Sequence, residues 1–369
     1  MIPVGNTENM FFSLVRLGVC YDNQSLELSK DIDWSALEDL AARQGLSAIV
    51  LDGIEKLPTE YRPPKEVLLQ WIGSVIQLEN SGAVQWKAEC ELATLLRDNQ
   101  IKTYVMKGAV VSECYPNPRH RQSVDMDCFL TEGVQELKGS RSSSYDVWEK
   151  GNKIVEEKGF EVERIHYKNS TWFLPGLTVE NHQFLTPFRG NNTLKKLERL
   201  LQSMLYEDKG EDQIDGTWLF RPPVMVSAIF LIEHAYTHFL HEGLTWRHIL
   251  DWMMFSRKHE KEINWTELEV LIDEFGFRKF YDSYHRLGKY LLGEITEEDL
   301  IPSDRMMLKD VWGELDIHET VRGIKGKLAL VGNTWRARWK YRQFTDMTWL
   351  KAIWIQVKGF LFMKSPSLV

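Results

Sequence analysis

From Trp34 to Asn99 the apolar residues recur at helical spacing: Leu37, Leu40 and Ala41, then Leu68, Leu69, Ile72, Val75 and Ile76. The spacing predicts an N-terminal helical segment. Between Lys102 and Leu185 the pattern changes. Short runs rich in β-branched and aromatic residues predict strands at Thr103–Met106, Val124–Leu130, Phe160–His166, Trp172–Leu174 and Thr178–Leu185, with one helix after Gly108 and another over Tyr145–Lys158. The segment Gly133–Ser144 reads as a surface loop. Past Thr186-Pro187 helical periodicity returns at Thr193–Leu205, Pro223–Leu240, Leu244–Lys258, Trp265–Phe275 and Lys279–Leu292. Pro222-Pro223 is placed to open the second of these, since proline is tolerated in a first helical turn. Alternating strands and helices predict an α+β (mixed α/β) fold, a small mixed sheet covered by helices with helical regions on both sides. The expected division is a helical segment over 1–100, a core over 101–190, a helical domain over 191–321 and a tail over 322–369.

Chemistry concentrates between Tyr104 and Leu130. One apolar run ends in Lys107-Gly108 and a second in Asp125-Met126-Asp127. Residues two apart on a strand share a face, so Asp125 and Asp127 are expected to project together while Val124, Met126 and Cys128 face away. Paired carboxylates suit a divalent cation in phosphoryl chemistry, because hard oxygens bind Mg²⁺ and the cation bridges substrate phosphates. A glycine at the loop lets backbone N–H groups approach a phosphate.

The run Arg121-Gln122-Ser123-Val124-Asp125-Met126-Asp127 resembles the R-x-[ST]-x-D-x-D signature of the polymerase-beta-like nucleotidyltransferase superfamily. Lys107-Gly108, Tyr115-Pro116, Val179-Glu180-Asn181-His182 and a later histidine-bearing helix resemble, in the same order, an uncharacterised bacterial nucleotidyltransferase family. The resemblance implies transfer of an NMP from an NTP to an unidentified acceptor hydroxyl, with Mg²⁺ or Mn²⁺ held by Asp125, Asp127 and a third carboxylate. Glu180, which shares a strand face with His182, is the candidate for that third ligand. Lys107 either neutralises the triphosphate or is a solvated lysine at a strand end. Arg121 either grips a phosphate or braces Asp125. Gly108, Ser123, His234 and His238 complete the expected nucleotide contacts. Ala109 stands where the superfamily commonly carries a serine or glycine, which removes a side-chain phosphate contact and leaves the backbone one.

The helix around Glu233 carries His234, His238 and His241 on one face, at i, i+4 and i+7. The acid precedes the first histidine, so the zinc-protease pattern is absent. Arg247 and Asp251, also four apart, read as a helix salt bridge. Two further classes stay open: a nucleotide-binding protein without catalysis, and a metal-dependent hydrolase centred on the three histidines.

Charge changes the picture at one end. The 369-residue chain carries a net charge of -8. Arg322 to Val369 hold ten Lys or Arg against one acid, Asp346, so this tail is +9 and the remaining 321 residues are -17. The acidic body argues against general duplex DNA binding. The tail is expected to pack on that body. A peripheral membrane contact and stacking on single-stranded RNA are the other fates open to its tryptophans and arginines. Cys20, Cys90, Cys114 and Cys128 lack metal-ligand spacing. No signal peptide or spanning segment is legible, and a cytoplasmic location is expected.

Overall fold

The computed structural model describes residues 5–20, 26, 28–132, 144–164, 167–188, 191–208, 212–313, 332 and 335–354. The chain begins with α1 (Asn6–Gly18), α2 (Trp34–Arg43), α3 (Ser47–Glu55) and α4 (Lys65–Asp98). Asp33 caps α2 by accepting a hydrogen bond from the Ala36 amide at 3.0 Å. Then come β1 (Ile101–Val105), α5 (Ala109–Ser112), β2 (Met126–Glu132), α6 (Ser144–Glu157), β3 (Glu161–Glu163), β4 (Asn169–Leu174) and β5 (Leu177–His182). After α7 (Asn192–Glu207) and β6 (Leu219–Phe220) the chain is helical: α8 (Val224–His241), α9 (Trp246–Lys258), α10 (Trp265–Glu274), α11 (Arg278–Leu291), α12 (Pro302–Val311) and α13 (Arg338–Phe344).

The fold is mixed α/β, as the alternation of elements predicted. Six strands form one sheet in the order β3-β4-β5-β2-β1-β6. β1 runs antiparallel to β2, and β2 parallel to β5. Alternation of side chains gives the sheet two faces. Met126, Cys128, Leu130, Trp172 and Val179 point to one face, where they pack with Leu92, Ala93 and Leu96 of α4 and Val147, Ile154 and Val155 of α6. Tyr104, Met106 and Phe129 join the larger core built by the N-terminal and C-terminal helices. Phe12 of α1 meets Trp246 of α9 and Tyr290 of α11 edge-on, with ring centroids 4.9 and 5.4 Å apart.

Several boundaries differ from expectation. α8 starts at Val224, with Pro223 as the extended residue ahead of it. The strand expected over Phe160–His166 is Glu161–Glu163, and residues 165 and 166 lie outside the described set. β6, α1 and α12 were not anticipated. The expected loop Gly133–Ser144 falls outside the described residues except for Ser144, which opens α6. Of the tail, residues 332 and 335–354 are described. Phe344 and Tyr341 are buried, and the Lys340 ammonium donates to Asp310 Oδ2 at 2.8 Å and to the Phe239 carbonyl at 2.6 Å. Residues 314–331, 333, 334 and 355–369, which include the end of the expected basic aromatic segment, lie outside the described set. Among the described residues no helix is long and apolar enough to cross a membrane.

Candidate active site

The site grows from the register of two parallel strands. Asp127 of β2 lies directly across from Glu180 of β5. Both occupy the face opposite Cys128 and Val179, so their carboxyl groups converge. His182, two residues beyond Glu180, brings Nε2 to 2.9 Å from Asp127 Oδ1 and 3.7 Å from Glu180 Oε2. One ligand atom from each of Asp127, Glu180 and His182 lies within 4.8 Å of the others. Among the described residues this is the only such group. Asp125 is one residue ahead of β2 and outside the group.

Electrostatics separates the acids. Burial pushes the Asp125 carboxyl upward, and the neighbouring charge of Asp127 adds to the effect. Burial also works to raise Asp127. There the hydrogen bond and charge of His182, with Lys107 and Lys168, outweigh burial and bring the pKa down to about 2. Glu180 is raised, first by burial, with Asp127 and Asp125 adding and His182 opposing. Asp127 is therefore the settled anion of the three, and the other two crowd charge around it.

The loop after β1 meets this group from the other side. Lys107 is buried, and its Nζ lies 3.1 Å from His234 Nε2. Among the described residues that imidazole is its one hydrogen-bond partner, although an ammonium carries three donors. Burial lowers the Lys107 pKa, and the charge of Asp127 opposes that. Gly108 has φ +53°, a left-handed value that favours glycine. A Cβ at 108 would sit 3.4 Å from Ser123 Oγ and 3.9 Å from the Asp125 carbonyl. Ser123 in turn donates to that carbonyl at 3.1 Å. The Lys107-Gly108 turn and the segment carrying Asp125 thus lie against one another.

α9 closes the far side of that segment. Arg121 is buried and gives its fork to Asp251, with Nε 3.0 Å from Oδ1 and Nη2 2.7 Å from Oδ2. Tyr115 adds a third donor, its hydroxyl 2.8 Å from Asp251 Oδ1. Arg121 therefore braces α9, where the sequence suggested a phosphate or Asp125. The helix salt bridge expected between Arg247 and Asp251 is replaced as well. Asp251 points inward to Arg121, and Arg247 Nη1 donates to the Gln122 carbonyl at 3.0 Å. Both arginines carry the same fork, but Arg121 meets the carboxylate with two donors at once while Arg247 gives one of its donors to the Gln122 carbonyl.

α8 lays a ladder of rings over the site. Phe230 meets His182 edge-on at 5.9 Å and stacks with His234 at 5.5 Å. His238 Nε2 is 3.0 Å from His234 Nε2, and its Nδ1 is 2.8 Å from Glu242. Burial holds His234 well below the usual imidazole range, and Lys107 pushes the same way, so His234 is neutral. His241 belongs to no metal-holding group among the described residues, and neither do His234 and His238.

Two groups of the site went unrecognised in the sequence. His182 appeared there at the end of the Val179–His182 run and as a residue sharing the face of Glu180, with no role assigned to it, and that period of two was its signal. Lys168 is buried at the entry to β4 and its charge lowers both Asp127 and Glu180. No local pattern marks it, because its influence depends on which strands pair.

A model of the family described as an uncharacterised nucleotidyltransferase matches residues 30–293. No curated protein and no solved structure matches the chain. The matched stretch holds the whole sheet, the Asp127–Glu180–His182 group and the helices α8 and α9 that enclose it. On that match the chain belongs to the uncharacterised nucleotidyltransferase family.

Proposed function

We propose that the protein transfers a nucleoside monophosphate from an NTP to an acceptor hydroxyl and releases pyrophosphate. The observation that carries this reading is the pairing of Asp127 with Glu180 across parallel strands, with Asp125 two residues ahead of Asp127 and the charge of the buried Lys107 acting on Asp127. The donor set fits a divalent cation. Two carboxylates supply hard oxygens, and the charge crowded among Asp125, Asp127 and Glu180 is of the kind that a dication relieves. Asp127, Glu180 and Asp125 would hold Mg²⁺ or Mn²⁺. When bound, the cation supplies charge neutralisation at the phosphates and lowers the proton affinity of the attacking hydroxyl.

The chain's own groups account for the rest. His182 fixes the orientation of the Asp127 carboxylate through the 2.9 Å hydrogen bond to Oδ1. Lys107 holds two donors free for phosphate oxygens, and the turn at Gly108 lets the backbone come close to them. The acceptor oxygen forms a bond to the α-phosphorus while the bond from that phosphorus to the bridging oxygen breaks, and pyrophosphate leaves with that electron pair. Glu180, whose proton affinity burial raises, takes the hydroxyl proton. Incubation with each NTP, Mg²⁺ and cell extract, followed by mass analysis of every covalent product, tests the reading. A product heavier by one nucleotidyl group is expected. Transfer that persists in both Asp125→Ala and Asp127→Ala would sink the assignment.

A further inference from the structure

The face that carries Glu180 continues past it onto β4. Thr171 lies directly across from Glu180, and Phe173 directly across from Thr178. Paired residues share a face, so Thr171, Phe173, Thr178 and Glu180 all point to the same side. The opposite sides of these two strands are sealed: Ser170, Trp172, Val179 and Asn181 are all buried. On the Glu180 side, by contrast, Thr171, Thr178 and Glu180 are half-buried and Phe173 is 40% exposed. Phe173 is thus an aromatic ring on a rigid strand, held open to solvent, and diagonal to Glu180. Such diagonal neighbours stand about 7–8 Å apart, within reach of an aromatic side chain.

We propose that Phe173 is the platform on which the base of the substrate nucleotide stacks. The proposal rests on the nucleotide reading above and adds an orientation to it. Across the sheet the order runs from Lys107 at the end of β1, through Asp127 on β2 and Glu180 on β5, to Phe173 on β4. The buried Lys107 ammonium lies at one end of that line. At the other, the cross-strand neighbours of Phe173 and Thr171 on β3 are Glu161 and Glu163. Phosphates belong at the lysine end and are repelled from the glutamate end. An uncharged aromatic ring suits the far end, where its π-face meets the exposed ring of Phe173. Stacking is tolerant of base identity, so Phe173 provides affinity for nucleotides as a class.

The test is calorimetric binding to the full chain of ATP, GTP, CTP, UTP and inorganic triphosphate, each with Mg²⁺, for wild type, Phe173→Ala and Phe173→Trp. Stacking predicts that Phe173→Ala weakens every NTP that wild type binds by about tenfold or more, leaves inorganic triphosphate unchanged, and that Phe173→Trp keeps the wild-type affinity. Because Phe173 is exposed, all three proteins should melt alike. Equal NTP affinity in wild type and Phe173→Ala overturns the platform and leaves the nucleotide reading standing. The same holds if triphosphate binding weakens as much as NTP binding. Absence of any NTP binding by wild type overturns both.

Discussion

Glu89 offers a quantitative test of how the sheet and α4 fit together. It lies on α4, is 4% exposed, and its Oε1 accepts a hydrogen bond from Gln85 Nε2 at 2.9 Å. Burial raises its pKa from 4.5 to about 7, against the opposing Gln85 bond and the charge of Arg121. The folded value lies above the unfolded one, so the sign is that of a destabilising carboxyl. Below pH 4.5 both states are protonated and the group contributes nothing. Between 4.5 and about 7 the unfolded state releases its proton first, and stability falls as pH rises. Above that window the cost is constant, about 3 kcal/mol at about 1.4 kcal/mol per pKa unit. Glu89→Gln keeps an acceptor for Gln85 and removes the charge. Urea unfolding at a series of pH values should show the variant equal to wild type at pH 4. At pH 8 it should be more stable by about 3 kcal/mol, a midpoint shift of about 1 M. A gain independent of pH, or none at pH 8, would refute the reasoning.

Three other substitutions probe the frame and the loop. Asp251→Ala leaves the buried Arg121 guanidinium unpaired and should cost about 3–5 kcal/mol in urea unfolding. Lys340→Ala removes the buried ammonium that bridges Asp310 and the Phe239 carbonyl and should lower stability by about 3 kcal/mol, measured by thermal or urea unfolding. Gly108→Ala imposes a Cβ on a residue with φ +53° beside Ser123, and should cost about 1–2 kcal/mol while weakening inorganic triphosphate binding in calorimetry.

The strands that carry chemistry were legible because their patterns are local. A period of two placed Glu180 and His182 together, and the run ending at Asp127 marked β2. The meeting of Asp127 with Glu180 needed one further fact, the parallel pairing of β2 with β5, which no single segment encodes. β6 escaped notice because Leu219–Phe220 is too short to show periodicity and is a strand by virtue of pairing with β1. α1 carried a signal that went unread: Asn6, Asn9, Ser13 and Arg16 fall along one side of the helix, and the buried Phe11, Leu14 and Val15 along the other. The bond between Arg121 and Asp251 spans 130 positions in sequence, and helical spacing pointed to the nearer Arg247 instead. Local rules see neighbours along a helix, while the carboxylate takes the arginine that meets it with two donors at once.

The reaction itself is tested most directly by the fate of label from two positions of the same nucleotide. Supplied with Mg²⁺, cell extract and an NTP labelled in its α-phosphate, wild type should place label in an acceptor. With γ-label it should release all of the label in pyrophosphate, and Asp127→Asn, folded as wild type, should do neither. Transfer of γ-label to an acceptor would make the protein a kinase, and α-label transfer undiminished in Asp127→Asn would remove the Asp127–Glu180 group from the chemistry.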